Sequence, residues 1–422
     1  MDLTTLFSKE VVSKAIAKLK GKKFKKSFVD LKRFTRKEEK QTTSFYKYLD
    51  KLNIDEYLDS LKSYELAPFK GLRIEKSNNK YRPLLIPQHK DRVVFAASFP
   101  IIRDLISPKL KIYNALGLGL SKRTRTSRYS NEVRNVLREI AASINSGKYD
   151  FIVKLDFKDF FSTIDRDLLQ SNLQPYFKSE KENKLLELVY ASFNNRIEAD
   201  PQFWGTFGDL KLKKLGIPQG LAYSPLLASF YATQLDEAVY NIRRIKSYRY
   251  LDDMIILAAD AESSHEAYEH IKEESEKMKL KLHPLEEDSK TQIINIKERN
   301  FDFLGITISQ DGLIISEKAG KKFKSIFESE IFNNSLIETQ EFQEIKDVYA
   351  NYGRGWAKYY QYMCPDDFER IRHDINQYLI DYINKHKKRK KFMGQKIFVL
   401  PPPNIYKIVS KRWDTQKLKQ RD

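Results

Sequence analysis

Two adjacent acids at a position where a tight turn would prefer glycine constrain this chain more than any other feature. In Tyr248-Arg249-Tyr250-Leu251-Asp252-Asp253-Met254-Ile255-Ile256-Leu257, two β-prone runs flank Asp252-Asp253. That pattern predicts a hairpin whose two-residue turn is Asp-Asp. Such turns favour Asn-Gly or Asp-Gly because the backbone needs positive φ. Two carboxylates at one tip repel and raise each other's pKa unless a cation neutralises them. The pair reads either as a divalent-ion site or as a solvated acidic turn.

A second acid bears on that choice. In Phe151-Ile152-Val153-Lys154-Leu155-Asp156-Phe157-Lys158-Asp159-Phe160-Phe161 an apolar strand ends on Asp156. Beside the hairpin, Asp156 and Asp252 would share hard cations, and Mg²⁺ takes a few carboxylates together with phosphate oxygens. Two such ions about 3.5 to 4 Å apart serve phosphoryl transfer. The local alternative, Asp156 as a helix N-cap, leaves Asp252 and Asp253 without an account. A third segment, Gly216-Ile217-Pro218-Gln219-Gly220-Leu221-Ala222-Tyr223-Ser224-Pro225, combines glycines that let backbone approach a ligand with a helix start, Ser224 as N-cap and Pro225 at the first helical position. Taken alone it is an ordinary loop before a helix.

Charge indicates the partner class. The sequence has 422 residues with 76 Lys+Arg against 57 Asp+Glu, a net charge of +19, which favours a polyanion such as nucleic acid or an anionic membrane surface. The single cysteine, Cys364, excludes a disulfide framework or a Cys-rich zinc site within one chain, and a cytoplasmic setting is expected. The longest apolar run, Val93 to Ile102, is broken by Ser98 and Pro100 and falls short of the about 20 residues a membrane span needs. With charges at Asp2, Lys9 and Glu10 the first residues are not expected to be a secretory signal.

Along the chain, residues 1 to 65 read as helical with a basic run at Lys20 to Lys26, Leu72 to Ile86 as β, Pro108 to Ser130 as loop and Asn131 to Ile144 as helix. Phe151 to Leu155, Met254 to Leu257 and Phe301 to Ile308 read as strands, with helices at Leu226 to Val239 and Ala261 to Met278 between them. Strand, helix, hairpin, helix, strand is the order of a ferredoxin-like sheet. Beyond Glu317 the pattern is helical, basic and aromatic, with a late loop at Pro401 to Asn404.

Together these segments resemble the reverse transcriptase family. Asp156 with Phe161 is similar to its motif A, Gly216 to Pro225 to motif B, and Tyr250-Leu251-Asp252-Asp253 to its Y-x-D-D motif C. Lys290-Thr291 is similar to motif D, Phe303-Leu304-Gly305 to motif E, and Lys80 to Pro87 with Asp91-Arg92 to the fingers segment of bacterial and group II intron enzymes. The resemblance implies an α+β right-hand polymerase: N-terminal helices and fingers over 1–150, a ferredoxin-like palm over 151–310 with a fingers insertion at about 166–215, and a helical basic thumb with C-terminal segment over 311–422.

The resemblance also implies roles. Asp156, Asp252, Asp253 and the Phe157 carbonyl would hold two Mg²⁺ ions, with Mn²⁺ as a substitute. Lys80, Arg82, Asp159, Phe160, Phe161, Gln219, Gly220 and Lys290 would bind the nucleotide, Phe161 by excluding a 2′-hydroxyl and Lys290 by giving a proton to pyrophosphate. Tyr250, Arg354 and Lys358 would contact nucleic acid, the last two from a Gly-Trp stretch, Tyr352 to Tyr360, similar to the thumb of bacterial relatives. Lys385 to Lys391 would add an RNA contact. The roughly 110 residues after motif E leave little room for a ribonuclease H domain besides a thumb, a Cys-rich endonuclease finger is excluded, and no Val-Thr-Gly retron signature occurs. What remains resembles the stand-alone, defence-associated reverse transcriptases of bacteria, and that resemblance implies copying of a structured noncoding RNA into cDNA from dNTPs, with an intron maturase or a template-independent polymerase as alternatives.

Overall fold

The computed structural model describes residues 1–23, 36–77, 80–112, 129–208, 215–287, 289–332 and 359–386. The chain forms two compact units, Met1–Phe303 with Thr307–Leu313, and Leu304–Ile306 with Ile314–Asp422. The first contains the segment expected as N-terminal helices and fingers, 1–150, and the segment expected as palm, 151–310, apart from Leu304–Ile306.

The first unit's strands are β1 (Phe69–Ser77), β2 (Lys80–Ile86), β3 (Phe151–Leu155), β4 (Ile197–Glu198), β5 (Ile245–Tyr250), β6 (Asp253–Ala258) and β7 (Gln292–Asn295). Four make the central sheet in the order β5-β6-β3-β7, every pair antiparallel. Helices Ser224–Tyr231 and Thr233–Tyr240 precede the β5–β6 hairpin, and Ala261–Lys277 links it to β7. This is the ferredoxin-like connectivity. One face buries Val153, Leu155, Met254 and Ile256 in the core that also holds Leu227, Tyr231, Leu235 and Ile271 of those helices. The strands read as continuous β-branched and aliphatic runs because Ile152, Ile255 and Leu257 on the opposite face are buried as well.

Three expectations are corrected. The last strand of this sheet is β7, not Phe301 to Ile308. That run breaks where Leu304 and Gly305 both take positive φ, 51° and 81°, and its halves become β8 (Phe301–Phe303) and β9 (Ile306–Ser309), which join β10 (Gly312–Ile315) in a separate small sheet. The helix expected over Leu226 to Val239 divides at Ala232, where the Thr233 hydroxyl donates to the Phe230 carbonyl at 2.7 Å and competes with the helical ladder. The loop expected from Pro108 is still helix as far as Ile112, because buried Ile106 and Leu110 hold the last turns against the core; residues 113–128 lie outside the described set.

In the N-terminal segment, Lys9–Lys23, Arg36–Lys51 and Ile54–Asp59 are helical, while residues 1–8 and 60–65 are turns or irregular. β1 and β2 form an antiparallel hairpin, and β4 adds a short parallel pairing to β1. In the second unit, helices Glu317–Phe332 and Pro365–His386 carry the structure, the Tyr359 hydroxyl donates to the Leu304 carbonyl at 3.1 Å, and Asp367 accepts from the Ile315 N–H at 2.9 Å. Among the described residues no helix is long and apolar enough to cross a membrane.

Candidate active site

The site follows from strand register. β3 and β6 pair with Leu155 opposite Met254, so one further step sets Asp156 across from Asp253, on one face of the sheet. On β5, Tyr250 pairs with Asp253, which brings half-buried Tyr250 to that face too. The hairpin turn lies one residue earlier than its sequence implies: it consists of Leu251 and Asp252, and Asp253 already belongs to β6. Leu251 supplies the positive φ, 60°, a conformation that costs an L-residue on the order of 1 kcal/mol or more. The hydrophobic run hides that strain, since propensity assigns leucine to the strand.

Asp156 is held from both sides. Its carbonyl accepts the His283 N–H at 3.0 Å, and Lys158 donates to Lys281 at 2.7 Å, the bonds around an isolated bridge between Phe157 and Leu282. Neither bond uses the N–H or C=O of Phe157, whose carbonyl is the one expected at a metal. The Asp156 side chain is 17% exposed and its Oδ2 meets the Lys290 ammonium at 2.5 Å. Buried Thr291 lies against the Asp156 backbone. The segment similar to motif D is thus attached directly to the motif A acid.

Electrostatics tie the acids together. The Asp253 carboxyl is pushed up to about 6, first by the surrounding protein and then by the charges of Asp252 and Asp156, while Lys154 and Lys290 pull the other way. Its side chain is exposed on the strand surface, so solvent screening limits what the shift contributes to stability. Lys154 was absent from the sequence prediction, although its spacing of two from Asp156 on β3 puts both on one face.

The remaining predicted residues separate. Phe161 is half-buried, its ring edge-on to Phe160 at 6.0 Å, and its carbonyl accepts the Ile217 N–H at 2.9 Å. The ring of Phe160 is 2% exposed and lies in the core, so a nucleotide contact from this residue would have to come from its backbone. Asp159 is exposed with φ 48° at the start of the short helix Phe160–Thr163.

Gly216 donates to Ile164 at 2.7 Å and Gln219 accepts the Leu85 N–H at 2.7 Å, so the glycine loop bridges the motif A segment and β2. A Cβ on Gly220, φ 123°, would overlap the Leu85 carbonyl. Ser224 does not cap its helix; it is the first helical residue, and its hydroxyl donates to the Pro218 carbonyl at 2.5 Å. Arg82 is exposed on β2. Lys80 begins that strand, with its side chain outside the described set. Arg354, Lys358 and the Gly-Trp stretch up to Lys358, the side chains of Lys385 to Lys391 and the loop Pro401 to Asn404 also lie outside the described residues.

A palm-like sheet with three acids at one end defines a candidate nucleotidyltransferase site. A family model described as reverse transcriptase (RNA-dependent DNA polymerase) matches residues 74–308, more than half of the chain, and the chain belongs to that family. It is 25% identical over 198 residues to an uncharacterized 91 kDa protein in the cob intron of Schizosaccharomyces pombe, covering 46% of this chain and 22% of that protein. It is 23% identical over 205 residues to a putative COX1/OXI3 intron 1 protein of Saccharomyces cerevisiae, with the same two coverages, 46% and 22%. Protein YkfC of Escherichia coli is 25% identical over 189 residues, 42% of each chain. The chain therefore spans about a fifth of the two fungal relatives. Among solved structures, apo telomerase from Candida tropicalis superposes with a TM-score of 0.46 at 14% identity, over 80% of this chain and 66% of that one. Telomerase from Candida albicans with a telomeric RNA fragment gives 0.45 at 13%, over 76% and 59%.

Membership in the family implies dependence on a divalent metal. Among the described residues no three His, Cys, Asp or Glu side chains converge as a closed ligand set. The donor chemistry still fits, since hard ions at nucleotide sites take one or two carboxylates and complete their shell with water and phosphate oxygens. Burial, with the charges of Asp252 and Asp156 added to it, raises Asp253, and a cation held there would offset both effects.

Proposed function

We propose that this chain is an RNA-directed DNA polymerase that extends a 3′-hydroxyl with dNTPs using two Mg²⁺ ions, Mn²⁺ being a substitute. The observation that carries the proposal is the register that sets Asp156 across from Asp253 beside the Asp252 turn. Asp156, Asp252, Asp253 and the Phe157 carbonyl would hold the metals, which when bound favour deprotonation of the attacking hydroxyl and neutralise the leaving pyrophosphate.

The protein's own groups do the rest. Lys290, paired with Asp156, keeps an ammonium at the acid cluster, from which a proton passes to pyrophosphate. Arg82 and Lys80 contribute phosphate contacts, bidentate from arginine. Asp159 flanks the nucleotide site, Gln219 and Gly220 line it against β2, and Phe161 excludes a 2′-hydroxyl. Tyr250 contacts nucleic acid on the acid face, and Arg354 with Lys358 follows the phosphates of the product duplex. Primer extension on an RNA template tests the reading: wild-type protein incorporates dNTPs with Mg²⁺, and Asp156→Asn protein does not. Incorporation by the mutant at the wild-type rate rejects it.

The template is proposed to be a structured noncoding RNA copied into cDNA, in the cytoplasm and without a membrane partner, in bacterial anti-phage defence. Support for the defence setting is the sequence resemblance, and its test is plaque formation on cells expressing wild-type or Asp252→Ala protein; equal plating on both rejects it. The intron location of relatives in two fungi favours a second reading, an intron maturase, which an in vitro splicing assay with a flanking intron RNA would distinguish.

A further inference from the structure

Arg249 is the largest fully buried side chain among the described residues, 0% exposed, and Asp236 beside it is 1% exposed. A buried guanidinium is costly unless all its donors are met, and here they are. Nε and Nη2 donate to the Asp236 carboxylate at 2.6 to 3.0 Å. Nη2 also donates to the Ser229 carbonyl at 3.0 Å and Nη1 to the Ser229 hydroxyl at 3.2 Å. The fifth donor leaves this cluster: Nη1 reaches the Leu251 carbonyl at 2.9 Å.

That carbonyl belongs to the left-handed turn residue immediately before Asp252. Arg249 pairs with Met254 across the hairpin, so its side chain leaves the sheet on the helix-packed face, opposite to Tyr250 and Asp253. From there it ties two helices, Ser224–Tyr231 through Ser229 and Thr233–Tyr240 through Asp236, to the hairpin tip. An uncompensated left-handed leucine would relax toward another turn and carry Asp252 with it.

We propose that Arg249, oriented by Asp236 and Ser229, is a positioning residue that locks the Leu251 turn and thereby fixes the Asp252 carboxylate for metal binding. The inference rests on the polymerase reading above. Lysine does not replace arginine here: an ammonium on a flexible stem keeps the charge facing Asp236 but lacks the planar fork that serves Asp236, Ser229 and Leu251 together.

The experiment uses the full chain and two variants, because removing one partner of a buried pair alone endangers folding. Arg249→Lys keeps the ion pair, and the double variant Arg249→Met, Asp236→Leu replaces it by apolar side chains. Mn²⁺ binding is followed by electron paramagnetic resonance without nucleotide, and primer extension gives kcat and KM for dNTP. The expected result is wild-type circular dichroism, Mn²⁺ affinity and kcat each lowered by about tenfold or more, and a dNTP KM within about twofold of wild type. A folded variant of either kind with unchanged Mn²⁺ affinity and kcat overturns the proposal, and so does unfolding of both, which would assign the pair to the fold alone. Asp252→Asn is the control: if it too binds Mn²⁺ and extends primers like wild type, the polymerase reading fails, whereas loss in Asp252→Asn alone removes only the role of Arg249.

Discussion

Asp156, Asp252 and Asp253 are like charges gathered at one end of a sheet, so taking two of them away relieves repulsion while it removes metal donors. The double variant Asp252→Ala, Asp253→Ala is expected to retain wild-type circular dichroism and unfolding temperature and to lose nucleotide incorporation; normal extension by the folded protein contradicts the two-metal reading. Phe161 is half-buried and edge-on to the core ring of Phe160, so Phe161→Ala opens space without emptying the core, and the ratio of rNTP to dNTP incorporation should rise on the order of tenfold or more. An unchanged ratio assigns Phe161 to packing. Away from the site, Asp91 is 1% exposed and accepts from the Tyr64 hydroxyl at 2.6 Å; burial pushes its carboxyl from 3.8 up to about 6. The folded state therefore favours its protonated form, and the stability this contributes is complete below about pH 3 and lost as pH rises through 6. Relative to Asp91→Asn, the wild type should lose roughly 3 kcal/mol between pH 3 and pH 7, read by denaturant unfolding at each pH. Parallel curves for the two proteins would refute it.

At the scale of elements, what was legible in the sequence was whatever has a strong period or a strong breaker. The run Phe151 to Leu155, the hairpin and the helix from Ala261 could be read because β-branched runs and a capping Asp260 with Ser263 are local signals. The last sheet strand was missed because Gln292–Asn295 is four residues long and its identity comes from pairing with β3, whereas Phe301 to Ile308 had the better pattern but contains the left-handed Leu304-Gly305 break. The acids of the site were legible as residue types, and the one-residue displacement of their turn was not, since what holds Leu251 is Arg249, a charge that composition would place on the surface. The glycine loop gives an element-scale prediction. At φ 123° a Cβ on Gly220 would overlap the Leu85 carbonyl, and the adjacent Leu85 to Gln219 hydrogen bond docks the loop on β2. Gly220→Ala should destabilise the protein by about 2 to 4 kcal/mol through strain and the displaced strand, measured by thermal unfolding; a variant as stable as wild type would show that the loop and β2 are not rigidly docked.

For the whole molecule, the net charge of +19 supplies attraction to any RNA, which weakens steeply with salt because it arises from counterion release. Charge alone therefore gives no reason for one template to be preferred. Polymerisation adds a stricter condition: a 3′ end must reach the carboxylates at the end of β3 and the hairpin tip, and productive geometry is worth several kcal/mol when it is organised in advance. A folded RNA whose shape presents its end there gains binding that survives salt, since shape and 2′-hydroxyl contacts are not screened as phosphate charge is. The Asp252→Ala, Asp253→Ala protein retains the surface and lacks turnover, so it should retain such an RNA unextended. Recovered from cells at moderate salt and sequenced, its bound RNA is expected to contain one species enriched far above its share of the cellular pool, and raising the salt should sharpen that enrichment by stripping charge-bound RNA first. Reads that mirror total cellular RNA at every salt concentration would remove the dedicated template and leave template-independent synthesis as the better account of the same three acids.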